Sequence, residues 1–386
     1  MDAFPSPVYK SGAGVISAAA AAGINVIKEV GEVKSIKVML LFTIILLLTG
    51  CYDKTELEKR GFIGAFSVDL TDGEIQLGAE LLSLPEEKQD KNESPDENGR
   101  DIKRVTRANL SEAIRGINEE SSKALSFWLS KTCLLGEELL MDENRLREAI
   151  NSLEKNNEIS VKLIILAVRG EGADTLKKEV KGENALGYYI ANYYKHAKNK
   201  ATSALLIELE TLAGALREGS GVLIPVYSCN EENVPEFSGA AMVKGELLGY
   251  ASDDELKGIA WAKGLGRGRA LTAKTDDNSA TFMITGQSVR YGFHEEDGGV
   301  VCTMRVKAEG ELMDFTPDMQ ISKLEGLFAD AIIDEIKDTH AFLSGYGIDG
   351  YRLKERLYKR FPSLLEKYGD FERYSINAEV FITINN

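Results

Sequence analysis

The sequence has few of the residues on which catalysis and metal binding usually depend. Its 386 residues include three histidines and four cysteines, and the cysteines show no C-x-x-C spacing. That pattern argues against a zinc site and against a thioredoxin-like redox motif. The G-x-S-x-G and H-E-x-x-H signatures are also missing from the sequence. We therefore expect a protein that is not an enzyme and that holds no metal and no enzymatic cofactor.

Positive charge is also scarce. Lys and Arg number 46 against 61 Asp and Glu, which gives a formal net charge of -15. A molecule with this charge is repelled by phosphate backbones and by anionic headgroups. Nucleic acid is therefore not an expected partner.

The apolar run at residues 39–48 is too short to span a bilayer. It has ten residues, whereas a transmembrane helix needs about 20. A run of this length is typical of the apolar core of an export signal, and Lys34 and Lys37 supply the positive segment that precedes such a core. The run therefore indicates export of the chain.

A cysteine follows this run. Leu48, Thr49 and Gly50 precede Cys51 and fit the bacterial lipobox, in which the cysteine thiol carries diacylglycerol. Two acyl chains hold a protein firmly to a bilayer, because each buried CH₂ contributes about 0.8 kcal/mol. We predict that residues 33–50 are a lipoprotein signal peptide and that Cys51 is the lipidated first residue. The alternative is that Cys51 is a small apolar side chain at the end of a buried helix.

The residues before this signal need a separate explanation. A signal peptide normally spans about 15–30 residues, yet 33 residues precede its first lysine here. Residues 28–30, Lys-Glu-Val, can be encoded by a ribosome-binding sequence, and Val33 by a GTG start codon. We expect translation to begin at Val33 and residues 1–32 to be untranslated. The competing interpretation is a weak, alanine-rich helix.

Residues 51–220 alternate between predicted strands and helices, which indicates one or two mixed α/β subdomains. A predicted hairpin opens this region, with a turn at Asp72 and Gly73. Residues 85–101 contain ten charged residues and are predicted to be a mobile loop. Strands are predicted at 60–70, 74–84, 102–108, 127–136 and 160–170, and helices at 110–125 with Ser111 as N-cap, at 137–156 and within 174–216.

Residues 221–236 are the predicted linker, because glycine, proline and acidic residues cluster there. The C-terminal domain is predicted at 237–386. We expect it to contain an opening hairpin, a helix capped by Asp253, an antiparallel meander, a long helix and a closing strand. The fold class is therefore α+β, with mixed sheets and packed helices.

The other polar candidates favour structural roles. His196 and His340 lie on predicted helices, and His294 lies in an acidic run that is more typical of a hairpin turn than of a cation site. Residues 264–270, GLGRGRA, resemble a phosphate loop but follow a helix and lack the Walker lysine, so we expect a connector. Three cysteines are expected to be buried, small apolar side chains: Cys133, Cys229 and Cys302.

A basic, aromatic helix near the C-terminus is the candidate docking surface for a partner protein. Tyr and Arg are enriched among interface anchors, and Tyr351, Arg352 and Arg356 lie on this helix, which is predicted to stop near Pro362. An ordinary solvated helix is the alternative interpretation.

Several segments of the sequence together match the pattern of one known family. They are the lipobox cysteine with its charged tether, the V-D-L strand end at 68–70, KTCLLGEELL at 131–140, residues 237–264, FLSGYG at 342–347 and the closing strand. In their order and spacing they resemble the Ger(x)C proteins, the C subunits of nutrient germinant receptors in endospore-forming bacteria. The resemblance extends over nearly all of residues 51–386. Tyr52 stands where the family usually has Trp, and an aspartate usual before the glycine-aromatic-glycine turn is missing.

The resemblance implies a mixed α/β protein of about three small domains on the outer face of the inner spore membrane. It implies assembly with a membrane-embedded A subunit and a permease-like B subunit, and a role in assembly and signalling. A solute-binding lipoprotein of a transporter is the alternative. That class would show two lobes with repeated βαβ crossovers, whereas the second half of this chain is predicted to be an antiparallel meander with a long helix.

Overall fold

The computed structural model describes residues 60–82, 101–178, 180, 185–196, 205–230, 233–274, 279–315, 320–369 and 373–385. The predicted signal peptide, the lipobox and Cys51 lie outside these ranges, as does nearly all of the predicted loop at 85–101. Predictions that concern those residues therefore stay predictions.

The described chain alternates between strands and helices. The strands are β1 (Arg60–Thr71), β2 (Glu74–Leu82), β3 (Asp101–Arg107), β4 (Ala124–Ser126), β5 (Thr132–Leu135), β6 (Ile164–Ala167), β7 (Val222–Cys229), β8 (Pro235–Lys244), β9 (Glu246–Ala251), β10 (Ala270–Lys274), β11 (Ser279–Glu296), β12 (Gly299–Phe315) and β13 (Tyr374–Asn385). The helices are α1 (Leu110–Glu119), α2 (Glu137–Met141), α3 (Glu143–Lys155), α4 (Gly172–Lys177), α5 (Leu186–His196), α6 (Leu209–Glu218), α7 (Lys257–Lys263), α8 (Ile321–Gly345), α9 (Leu353–Arg360) and α10 (Pro362–Lys367).

The larger sheet is mixed. Its strand order is β3-β2-β1-β5-β6-β7-β8-β9, with the short β4 also pairing with β1. Strands β1, β4, β5 and β6 run parallel, whereas the pairs β1–β2, β2–β3, β7–β8 and β8–β9 are antiparallel. The predicted first hairpin is confirmed, and Asp72 and Gly73 in its turn both have positive φ.

Helices cover both faces of this sheet. Helices α1, α2, α3 and α6 pack on one face, and α4 and α5 pack on the other. Side chains of β1 enter both cores, with Phe66 and Val68 on the first face and Ala65 on the second. A parallel core strand covered on both sides explains why β6 was recognised as a nearly continuous apolar run.

Two buried carboxylates hold the helices of the second face. Asp69 at the end of β1 accepts hydrogen bonds from the backbone N–H groups of Gly172 and Ala173, at 2.6 and 3.0 Å, and so caps α4. Glu80 in β2 accepts from the backbone N–H of Leu186 at 2.8 Å, at the start of α5. The N-terminal amides of a helix have no partner inside the helix, so these carboxylates supply one.

The smaller sheet has the order β10-β11-β12-β13. The predicted meander is confirmed, because β10, β11 and β12 are antiparallel neighbours, and β13 then joins β12 in parallel. The long helix α8 and the helix α7 pack on this sheet around Trp261, Phe282 and Phe328, which are all fully buried. The α+β fold class is therefore confirmed.

Ten of the sixteen residues in the predicted linker, 222–229 and 235–236, lie in strands, so the prediction is wrong for them. Residues 222–229 form β7, which pairs with β6 and β8 and carries Ile224 and Val226 into the core of the larger sheet. Pro225 suggested a break, yet it lies at a register shift in the β7–β8 pairing, a position where a strand tolerates proline.

Some predicted ends and caps are also wrong. The strand predicted at 127–136 is limited to β5, and the helix predicted at 110–125 ends at Glu119. Asn109, not Ser111, caps α1, because its side chain accepts from the N–H of Glu112. Asp253 does not cap α7 but accepts from the N–H of Gly239 at 2.9 Å.

Candidate functional site

Segments that are far apart in the sequence meet at the carboxyl ends of β1 and β5. The Asp69 carboxylate lies against Gly136, where a Cβ atom would come within 2.1 Å of its Oδ1. Burial raises the pKa of Asp69, while hydrogen bonds from Gly172, Ser67 and Ala173 oppose that change. The V-D-L and G-E segments noted in the sequence therefore fit together here by close contact.

The next residue, Glu137, connects this junction to β9. Its carboxylate accepts a hydrogen bond from the Tyr250 hydroxyl at 2.8 Å and one from the N–H of Gly170 at 3.1 Å. The Arg169 guanidinium lies 4.4 Å from the centre of the Tyr250 ring. Burial and then the nearby Glu137 raise the pKa of Tyr250. The arrangement ties the hairpin β8–β9 to the parallel strands, which is a structural role.

A second candidate is a cavity of about 230 Å³ between α9 and β11, which we call the basic groove. Four of its seven lining side chains are cationic and one is anionic, so a positive site lies on a strongly negative molecule. The lining residues are Tyr291, Phe293, Arg352, Glu355, Arg356, Lys359 and Arg360.

Contacts within the groove hold its arginine side chains. The guanidinium of Arg356 lies 3.8 Å from the centre of the Tyr291 ring, and its Nε donates to the Tyr351 carbonyl at 3.1 Å. Glu355 forms ion pairs with Arg352 and Lys359 at 2.8 and 2.5 Å. Within the described ranges, no carboxylate lies within ion-pair distance of Arg356. The groove therefore keeps an excess of positive charge.

Lys263, at the end of α7, adds to this positive field. Burial of its ammonium group, followed by the charges of Arg352 and Arg356, lowers its pKa to about 8. The residue as a whole is solvent-exposed, and the two arginines lie close enough to disfavour a third positive charge. Like charges gathered in this way favour an anionic partner surface.

The structure changes the predicted set of docking residues. Tyr351 is only 3% exposed and its hydroxyl donates to the Ile336 carbonyl at 2.7 Å, so it is a core residue and the prediction was wrong for it. Arg352 and Arg356 do line the groove. Tyr291 and Phe293 were missed, because only the packing of α9 on β11 brings them to this helix.

The other residues that the sequence analysis considered as functional candidates have structural roles in the fold. The three cysteines in the described residues are buried, as predicted, and burial raises the pKa of Cys133 and Cys302. His294 lies in the β11–β12 hairpin, 3.3 Å from Glu296. Residues 264–269 connect α7 to β10, as expected. Among the described residues there is no group of three or more potential metal ligands.

Comparison of the chain with models of known protein families identifies the family to which it belongs. The model described as "Spore germination protein N-terminal domain" matches residues 53–228, and "Spore germination B3/ GerAC like, C-terminal" matches residues 238–386. The chain belongs to the Ger(x)C family of germinant-receptor C subunits. The resemblance seen in the sequence is thereby confirmed.

Curated Ger(x)C relatives and one solved structure agree with this assignment. Spore germination protein B3 of Bacillus subtilis (strain 168) is 22% identical over 78% of this chain and 82% of its own length. The putative spore germination protein YfkR of the same organism is 20% identical over 72% and 74% of the two chains. A crystal structure of the GerBC protein matches with a TM-score of 0.54 and 19% identity, covering 83% of this chain and 97% of that chain, which shows the same fold.

Family membership carries some properties to this chain at a coarse level. Ger(x)C proteins belong to multi-subunit germinant receptors, are associated with spores and do not form a known enzyme family. Of the helices that the structure describes, none combines the length and the apolar character needed to cross a bilayer.

Proposed function

We propose that this Ger(x)C protein is a lipid-anchored subunit of a nutrient germinant receptor, held on the outer face of the inner spore membrane. The observation that carries the proposal is the ordered match of both family models across residues 53–386. The sequence adds the lipobox, in which Cys51 follows Leu48, Thr49 and Gly50. The covalent diacylglycerol on Cys51 is the only non-protein group in this proposal.

The subunit acts by assembly and conformational signalling, not by catalysis. Its partners are the membrane-embedded A subunit and the permease-like B subunit. The basic groove is the proposed contact surface, because an excess of positive charge on a molecule of net charge -15 selects an acidic patch on a partner. The solute-binding alternative is disfavoured, because the second half of the chain contains the antiparallel strands β10–β12 and the long helix α8.

Replacement of the lipidated cysteine tests the proposal. We expect Cys51→Ala to release the protein from spore membranes and to impair nutrient germination, measured by membrane fractionation and by the loss of absorbance after nutrient addition. Cys229→Ala is the matched control, because Cys229 is buried in β7 and keeps the anchor intact. A native protein whose mature N-terminus carries no acyl group in mass spectrometry would contradict the proposal.

A further inference from the structure

Three exposed apolar side chains lie in two turns of the larger sheet. Trp128 and Leu129 precede β5, and Val161 precedes β6. Their exposed fractions are 71%, 36% and 42%. An exposed tryptophan of this degree is unusual in a protein whose other described tryptophan, Trp261, is fully buried. We call Trp128, Leu129 and Val161 the apolar edge patch.

The two turns are neighbours on one edge of the sheet. Strands β5 and β6 run parallel and pair from Thr132 with Ile164, so the residues just before each strand lie at the same edge. The backbone N–H of Phe127 donates to the Glu158 carboxylate at 3.3 Å, which connects the two turns directly. The hydroxyl of Ser130 donates to a β1 carbonyl at 3.0 Å and fixes the first turn. These hydrogen bonds hold the backbone of the turns that carry the apolar edge patch.

The chain enters the sheet at this same edge. Arg60, the first residue of β1, pairs with Ala124 of the parallel strand β4, which leads into the turn that carries Trp128. Cys51 precedes Arg60 by nine residues in the sequence. Nine residues span at most about 30 Å when fully extended. A lipid on Cys51 therefore keeps the bilayer within reach of this edge.

We propose that the apolar edge patch inserts into the interfacial layer of the bilayer that holds Cys51, an inference that rests on the proposed lipid anchor. Tryptophan favours the membrane–water interface, where its ring meets apolar chains and its N–H meets water. Lys131 and Lys162 lie beside the patch and are exposed, so their ammonium groups can stay at headgroup level. The contact fixes the orientation of the receptor subunit, which a single lipid attachment alone would not fix.

The contact between the apolar edge patch and the bilayer depends on insertion of apolar side chains more than on attraction between charges. The molecule has a net charge of -15. An anionic leaflet would therefore repel the molecule as a whole. The expected contact depends on the indole ring and on the neighbouring leucine.

Fluorescence quenching tests the proposal on the full lipidated chain. The protein is placed in vesicles of phosphatidylethanolamine and phosphatidylglycerol whose acyl chains carry bromine. The chain has two tryptophans, and Trp261 is fully buried, so quenching by the acyl chains reports on Trp128. We expect most of the Trp128 emission to be lost, and we expect Trp128→Phe to remove the quenched component.

A second tryptophan position supplies the matched control. Met141 is 54% exposed and lies at the end of α2, beyond the carboxyl end of β5 and so away from the edge patch. In the Trp128→Phe background, the tryptophan introduced by Met141→Trp is expected to stay unquenched by the bromines. Equal quenching at both positions would overturn the proposal.

Vesicle flotation separates the two proposals. A chain that floats with the vesicles while Trp128 remains unquenched keeps the lipid anchor but overturns the insertion. A chain that does not float refutes the anchor, and the insertion is refuted with it. If Trp128 becomes protected from aqueous acrylamide only when the membrane subunits are added, the patch binds protein and the proposal is overturned.

Discussion

Gly136 lies where the fold leaves no room for a side chain. A Cβ atom there would lie 2.1 Å from Asp69 Oδ1, and Asp69 cannot move freely because it caps α4. We expect Gly136→Ala to lower the free energy of unfolding by about 1–3 kcal/mol, as overpacked sites do. Urea denaturation would measure this loss.

Gly214 provides the control for this change. It lies inside α6, and nothing comes within 4 Å of a Cβ atom built on it. Because alanine favours a helix over glycine by up to about 1 kcal/mol, Gly214→Ala is expected to be neutral or stabilising. Similar losses for both variants would show that contact with Asp69 is not the cause.

His340 should make the stability depend on pH. Burial lowers its pKa, against a hydrogen bond to the Tyr374 carbonyl that raises it. Below about pH 6.5 the unfolded chain therefore binds a proton that the folded protein resists, so stability is lost as the pH falls. His340→Gln cannot titrate, and we expect the advantage of the native protein over this variant to shrink between about pH 7.5 and pH 5. A difference in unfolding free energy that is constant over that interval would contradict the prediction.

Residue roles could be predicted where the local sequence decides them. The buried cysteines followed from their strand-like surroundings, whereas Tyr351 could not be distinguished from its charged neighbours. Its burial depends on α8, whose carbonyl at Ile336 accepts its hydroxyl. A docking residue and a core residue in one short segment look alike until the segment is packed.

At the scale of secondary-structure elements, α5 depends on a carboxylate from a strand. Glu80 accepts from the N–H groups of Leu186 and Gly187, the first residues of α5, at 2.8 and 3.4 Å. In Glu80→Gln, the side-chain NH₂ group would face the backbone N–H of Leu186 or Gly187, and two donors cannot form a hydrogen bond. We expect a local loss of about 1 kcal/mol, seen as faster hydrogen exchange in α5.

Glu74 is the matched control for this substitution. It opens the same strand, β2, but is solvent-exposed. Glu74→Gln should leave hydrogen exchange in α5 unchanged. Unchanged exchange in Glu80→Gln as well would mean that packing of the apolar face alone holds this helix.

Elements with strong periodicity were predicted well, and their ends were predicted less well. The β1–β2 hairpin and α8 have clear patterns over many residues, and the structure confirms both. The segment at 127–136 was predicted to be one strand because it is apolar, although Trp128 is exposed in a turn. Apolar residues that face outward imitate the pattern of a buried strand.

At the scale of the whole molecule, the two cores of the protein share one strand, β8. In β8, Ala241 and Val243 enter the core of the larger sheet, while Ala240 and Met242 enter the core that contains α8. The predicted boundary therefore cuts a region that is continuous in space. Sequence patterns could not show this, because the alternating side chains of one strand enter two cores whose other residues lie far apart in the sequence.

The basic groove could be anticipated only in part. Arg352 and Arg356 were identified from the composition of one helix. The aromatic side chains of β11 that complete the groove lie about 60 residues earlier in the sequence. Packing between residues so far apart in the sequence produces no local pattern that a single sequence could reveal.

Charge reversal at the groove tests its proposed role in receptor assembly. The change is Arg352→Glu with Lys359→Glu, which leaves Arg356 in place on Tyr291. If the groove binds an acidic patch, the loss of about 1–2 kcal/mol should lower copurification of the membrane subunits roughly tenfold. Lys323→Glu with Lys337→Glu on α8 is the control, because both residues are exposed and the change of net charge is the same. Equal copurification with the two double variants would remove the groove from the interface.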